Sequence, residues 1–469
     1  MAPNRKQSAI SLWLDRLIAG GLLLTIVFTT VALGVVSPIS VMLFELIVSV
    51  LMLLWVIKTV VDRKLDLFIP PIAWPLIGLI LLGLAQGAAW SDQTGRRLSL
   101  SLDVEATRGT VIVLCYLLAC LLLAANSFNR RERLRHLVLF LCVYGFAVAF
   151  YGLVRYFALT GSFAWFGSAG SGSLSGTFVN RGHFAGYLEL LFAIPLSLIL
   201  TRVVRGEQRL LFGAAAIIMA VTVIFTFSRG GMISLAAETV FITAIAVRYA
   251  KGQAGGRTAR KGNWGMEIAA VGVIGVAVVL GVIWIGAEPV INRIVTGDPN
   301  SSDLQKAQSF HSVRGAIWKD TWRLIQSNPV SGVGLGAFTT AYPIYSADTG
   351  LHGVVTAAHN DYLQILADAG LIGGVLLIWF LAAFARSLAR CLRSPDPLLA
   401  GVALGCGAGV VGMLVHSLFD FNLQLPSHAT LFLLCAGVVS QVAAMVEEPA
   451  LSRAAASLVS SGLVREVTS

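Results

Sequence analysis

The chain has 469 residues, of which 57% are hydrophobic and only 12% charged, with a net charge of +10 and a mean hydropathy of +0.81. That composition excludes a soluble globular fold. Recurrent apolar runs close to the roughly 20 residues that cross a bilayer make it an all-α polytopic membrane protein. The basic excess does not signal nucleic acid as a partner, because lysines and arginines fall in short connections between apolar runs.

At the N-terminus, Arg5, Lys6 and Arg16 precede an apolar run from Leu17 to Val36. It is too long for the core of a signal peptide and lacks a small-residue cleavage site, so it reads as the first membrane helix. Hydropathy places about 12 spans near 17–36, 39–60, 72–90, 108–126, 134–157, 184–202, 209–228, 231–249, 266–287, 370–392, 398–419 and 426–446. With the N-terminus in the cytoplasm, 23 of the 34 lysines and arginines fall on cytoplasmic segments, and the outer connections 37–38 and 420–425 hold none. The chain then divides into a membrane domain over 1–287 with about nine spans, a large periplasmic loop over 288–369 with interfacial helices, about three further spans over 370–446, and a cytoplasmic tail over 447–469 that reads as unstructured. All six cysteines lie in or beside apolar runs without metal-ligand spacing, as small core residues.

This threading puts the loop 159–183, the turn Ser228-Arg229-Gly230-Gly231, the segment 288–358, His359 and the loop 420–425 on the periplasmic side. ATP and nucleotide sugars are absent there. Arginines are disfavoured on that side, which singles out Arg181 in Asn180-Arg181-Gly182-His183, Arg229 before two glycines in a turn between spans, Arg314, and Arg323 further along the same segment. Arg314 opens an amphipathic helix at about 312–327 with a stripe of Ile317, Trp318, Thr321, Trp322, Leu324 and Ile325, stopped by Asn328-Pro329. Converging guanidinium forks suit phosphate or diphosphate oxygens. Snorkelling to headgroups or helix capping is the plainer alternative, weakest for Arg229 and strongest for Arg323.

His359, beside Asn360 and Asp361, has the chemistry of a base, a donor or a metal ligand. His416 and Asp420 are the one pair at i, i+4 spacing suited to a metal, followed by Asn422 and Gln424; helix–helix hydrogen bonding accounts for them more simply. His183 and Glu189 leave packing and function equally open. The Gly/Ser run 167–173 reads as a flexible connector. Gly332-Val333-Gly334-Leu335-Gly336 superficially resembles a dinucleotide-binding loop, but it neither follows a strand nor opens a βαβ unit, and no Walker A motif is present.

At these residues the chain resembles the O-antigen ligase and polymerase family of bacterial glycan assembly. The carrying features are Asn180 to Tyr187, Phe227-Ser228-Arg229-Gly230-Gly231, the run Arg314…Trp318…Pro329…Gly332 to Gly336, and His359-Asn360 with Gly370 eleven residues after the histidine. The resemblance implies a GT-C-class glycosyltransferase of the bacterial inner membrane that needs neither metal nor nucleotide and no cofactor. Its donor would be a glycan on a polyprenyl diphosphate, displaced with inversion onto an acceptor hydroxyl. Arg229 and Arg314 would clamp the diphosphate, with Arg181 as a third phosphate contact. His359 would orient or deprotonate the acceptor, or help hold the diphosphate. Asn180, His183, Asn360, Asp361 and Asp420 would complete the substrate site. The stretch from His416 to Pro426 resembles the polymerase-like members more than the lipid A-core ligases. The acceptor is therefore either another lipid-linked glycan, with a chain-length regulator as a further partner, or lipid A-core.

A transporter or lipid flippase is the rival reading. It would use the membrane acids Glu45, Glu189 and Glu238 and would show internal repeats and broken helices near the midplane, of which the sequence gives no half-to-half sign. A scaffold role for the outer loop is a third reading, one in which Arg229 would be dispensable.

Overall fold

The computed structural model describes residues 9–91, 97–158, 174–254, 302–347 and 354–460. Lipid offers no hydrogen-bond partners to the backbone, so apolar segments satisfy it internally as helices. Ten described helices are long and apolar enough to cross a membrane. In chain order the helices are α1 (Ala9–Val31), α2 (Pro38–Asp62), α3 (Ala73–Gln86), α4 (Val104–Ser127), α5 (Arg131–Ala158), α6 (Arg181–Leu200), α7 (Gln208–Phe225), α8 (Arg229–Ala254), α9 (Ser302–Ser327), α10 (Phe338–Tyr345), α11 (Asp361–Cys391), α12 (Pro397–His416) and α13 (Pro426–Ser460). Side-chain oxygens start several of them by accepting orphan backbone N–H groups, as Ser37 does for α2, Asp103 for α4 and Asp396 for α12.

Two expectations change. The span at 72–90 has a helix of only 14 residues, α3, about 21 Å long at 1.5 Å per residue and shorter than the ten helices of spanning length. It stops at Gln86, whose side chain is used elsewhere, and a small antiparallel hairpin pairs Ala89 with Ser99. The tail is helical as far as Ser460, where the alanine-rich stretch 454–456 favours helix. The expected span 266–287 and the Gly/Ser run 167–173 lie outside the described residues.

The bundle is centred on α6, α12 and α13, in which 94%, 83% and 83% of the spanning residues are buried, against 22% in α2. Burial alone does not bring apolar helices together in lipid; small residues do, by letting backbones approach. Gly401, Gly405 and Gly409 recur every fourth residue on α12. A Cβ on Gly409 would stand 2.7 Å from the Leu190 carbonyl oxygen, and one on Gly405 2.8 Å from Ile194 Cα. The helix ends that the sequence groups on the cytoplasmic side are tied to one another by charge. Asp15 receives Lys58 at 3.3 Å and Arg133 at 2.6 Å, Arg131 pairs with Asp396, and Arg390 meets Glu447 at 3.3 Å.

At the opposite end, α11 is broken at Gly370, with φ 60° and ψ −153°. The groups around the break are taken up by the chain that follows α9: Leu371 N donates to Pro329 O (2.8 Å), Val333 N to Ala367 O (2.9 Å) and Gly334 N to Asp368 O (3.1 Å). Gly332, Gly334 and Gly336 all have positive φ, and side chains on them would strike the Asp368 backbone, Ser101 and Thr110. Gln86 completes the clamp, donating to Ser331 O and Asp368 O and accepting from Leu335 N. The glycine run is therefore a backbone clamp on a broken helix. It also explains the spacing from His359 to Gly370: one cap residue, then a nine-residue helical segment, then the break.

Gly409→Val is expected to lower stability by about 1–3 kcal/mol, since backbone cannot yield as a flexible side chain would. Chemical unfolding in detergent checks this; a variant as stable as the parent would contradict the close approach of α6 and α12.

Candidate active site

The site forms where α6, α8 and α11 begin and α12 ends. Asn180 and Asn360 cap their helices: Asn180 Oδ1 accepts from Gly182 N at 2.8 Å, and Asn360 Oδ1 accepts from Tyr362 N at 2.9 Å and Leu363 N at 3.0 Å. Ser228 does the same for α8, its hydroxyl accepting from Gly231 N at 3.2 Å. Arg181 and Arg229 are thus the first residues of their helices, at the electropositive ends of two macrodipoles. The two guanidiniums are electrostatic neighbours.

Residues 417–422, which leave the end of α12, join these elements. Ser417 O accepts from Asp361 N at 2.9 Å, Leu418 O from Asn360 Nδ2 at 3.0 Å, and Phe419 O from Arg314 Nη1 at 2.6 Å. Asp420 Oδ1 lies 3.5 Å from His359 Nδ1, and a Cβ on Gly182 would stand 2.7 Å from Asp420 Oδ2. The Phe421 ring stands edgewise between the rings of His359 and His183, at 4.9 and 5.0 Å. Asn422 Oδ1 meets His183 Nδ1 at 2.6 Å.

His359 is itself held in a left-handed conformation, φ 51°, costly for a residue with a Cβ and kept only where its surroundings over-determine it. They do so on both sides. Ala358 N donates to Gln364 Oε1 at 2.8 Å, Ala358 O accepts from Trp318 Nε1 at 3.0 Å, and Asn360 caps α11. Helix α9 therefore fixes His359 through Trp318 and reaches the turn through Arg314. Its predicted stripe packs inward at Ile317, Thr321, Leu324 and Ile325, whereas Trp322 faces out.

The sequence-derived residues thus come together, but with unequal freedom. Asn180 and Asn360 spend their oxygens on caps. Asp361 Oδ2 accepts from Ser417 Oγ at 2.8 Å and Leu423 N at 3.3 Å, which ties the turn to α11. Arg323 pairs with Asp320 at 2.7 Å. His416 and Asp420 face different partners, so their i, i+4 spacing does not make a joint site: His416 turns to Glu189 and Asp420 to His359. Phe421 and Gln86 were not singled out from the sequence. An aromatic amid polar residues and a glutamine ending an apolar run were the available signals.

Electrostatically the basic side chains of the cluster face the Asp420 carboxylate. Burial alone would raise the Asp420 carboxyl, but its contact with His359 and the nearby His183, His416 and Arg314 outweigh that and hold it well below the usual carboxylate range. Burial lowers the Arg314 pKa and Asp420 opposes the shift; the guanidinium stays charged. Beside the site lies a cavity of about 770 Å³ between α3, α4, α11 and α13, walled by residues such as Leu79, Leu114, Leu377 and Phe432 and lined towards the site by Asp361, Ser417 and Phe421.

Because the native Asp420 ionises at lower pH than an unfolded aspartate (about 3.9), its stabilising contribution is full above that value and is lost as pH falls through the acid range. Wild type should exceed Asp420→Asn by about 3 kcal/mol at pH 7, and the gap should narrow below about pH 4. Unfolding in detergent from pH 8 to 3 reads this; a gap that is absent or does not change with pH would contradict the assignment.

A search of curated proteins returned no match. Residues 214–378 match the family model described as O-antigen ligase, a span that holds Arg229, Arg314, His359 and the Gly370 break, with Arg181 and Asp420 outside it. Residues 214–378 are thus similar to the O-antigen ligase family, within a chain whose described helices include ten long and apolar enough to cross a membrane.

Proposed function

We propose that the protein moves a glycan from a polyprenyl diphosphate to an acceptor hydroxyl on the periplasmic side of the inner membrane, with inversion at the anomeric carbon. The family match indicates O-antigen ligase-type transfer, with a lipid-linked donor and an acceptor in the membrane. The observation that carries the finer reading is that one turn, 417–422, brings Asp420 to His359 and takes a bond from Arg314, next to the helix starts that bear the neighbouring Arg181 and Arg229.

In this reading the three guanidiniums hold the diphosphate and stabilise the charge that grows as the anomeric C–O bond breaks. Asp420 Oδ1 lies 3.5 Å from His359 Nδ1, and closing that gap on substrate binding would give the hydrogen bond by which a carboxylate sets an imidazole up as a base, with Nε2 left for the substrate. His359 Nε2 takes the acceptor hydroxyl proton while the acceptor oxygen bonds to the anomeric carbon. Polyprenyl diphosphate leaves with the electrons of the broken bond. The basic residues at the far end of the helices support the periplasmic side. The apolar cavity beside the site suits the proximal part of a lipid chain. The acceptor is lipid A-core for a ligase or a second lipid-linked glycan for a polymerase, and the mass of the product separates the two.

Arg229→Ala, Arg314→Ala and His359→Ala should each lower the release of polyprenyl diphosphate by about 10²-fold or more. The assay uses purified protein with a polyprenyl-diphosphate oligosaccharide, and rates within twofold of wild type would overturn the roles given. Narrowing the cavity with Leu79→Trp or Leu114→Trp should raise KM for a full-length donor about tenfold, close to 1.4 kcal/mol of lost binding. A donor with a short chain should be spared; equal effects on both donors would remove the cavity from the lipid path.

A further inference from the structure

Glu189 and His416 lie inside the bundle with side chains 0% and 1% exposed, and His416 Nδ1 sits 3.0 and 3.2 Å from the two Glu189 oxygens. A buried ion pair is a poor fastener, since desolvation takes back most of the Coulombic gain. Here α6 and α12 are already joined by the glycine stripe. The position of the pair is more informative. His416 is the last residue of α12 and the root of the 417–422 turn. Glu189 lies two turns into α6, below Arg181 and His183. A Cβ on Gly230 would stand 3.2 Å from His416 Nε2, and one on Gly231 3.1 Å from Glu189 Oε1. The two glycines after Arg229 thus let the start of α8 rest directly on the pair. The starts of α6 and α8 and the end of α12 thus meet at the pair.

We propose that Glu189 and His416 are the positioning pair of the active site, setting the height of the 417–422 turn against Arg181 and Arg229. The inference rests on the transferase reading above. The charged groups around the pair are Glu238 of α8, which packs against Gly412 of α12, together with Asp420 and Asp361 beside His416. Glu238 has both carboxyl oxygens buried and without a hydrogen-bond partner among the described residues, so Glu189 is the acid engaged with the imidazole.

The test compares full-length wild type with Glu189→Gln, which keeps shape and loses charge, with His416→Gln and with the double variant. Each single change should lower kcat by about 10²-fold through misplacement alone, with KM for the lipid donor within about threefold, since the site's arginines and cavity remain. The double variant should be no slower than the slower single, as groups acting as one unit are not additive. Glu189→Asp should recover part of the rate. Hydrogen exchange should quicken at 417–422 and 228–231 while the body of α12 stays protected. A single variant within twofold of wild type, losses that multiply in the double variant, or unchanged exchange at those segments would each overturn the proposal. Failure of wild type to use any polyprenyl-diphosphate donor would count against the transferase reading instead, and exchange would still test the pair.

Discussion

Where a helix ends inside a membrane protein, every exposed N–H and C=O must find a partner in the chain, because lipid supplies none. Residues 417–422 meet that demand with functional groups. Their carbonyls take hydrogen bonds from Asp361 N, Asn360 and Arg314, and their side chains engage His359 and His183. A stretch distant in sequence from Arg229 and His359 therefore decides how those residues stand to one another. The family match ends at residue 378, so the organising turn lies outside the matched domain.

The same demand explains the break in α11. A helix interrupted at Gly370 needs a second piece of backbone to satisfy it, and the glycine-rich 332–336 stretch supplies one only because it has no side chains to keep it away. The arrangement holds the far end of the helical segment that His359 precedes, while α9 holds Ala358 through Trp318. Strain at His359 is sustained because both neighbours are held, and the imidazole is set in place before any substrate arrives.

Much of this was legible in the sequence because the physics is local. Apolar runs predicted the helices, and the pattern of basic residues grouped their ends; Lys58, Arg131, Arg133 and Arg390 do meet at one end. Arg181, Arg229, Arg314 and His359 stood out because arginine and histidine at that boundary are expensive. What did not show was who meets whom. Nothing in the spacing of His416 and Asp420 says that they part company, one toward α6 and one toward His359. The glycine run could not announce that it binds a helix, and Gln86 gave no sign that an apolar helix ends early to serve it. Those are long-range pairings, and a single sequence carries them only weakly.

The proposed transfer requires a diphosphate lying among Arg181, Arg229 and Arg314 beside Asp420 and His359. A cryo-EM structure of the protein with a non-transferable polyprenyl-diphosphate donor analogue tests this directly. The prediction is density for the two phosphates bounded by Arg181, Arg229 and Arg314, with the lipid entering the cavity between α3, α4, α11 and α13. Phosphates at the opposite, ion-paired end of the bundle, or away from all three arginines, would contradict it.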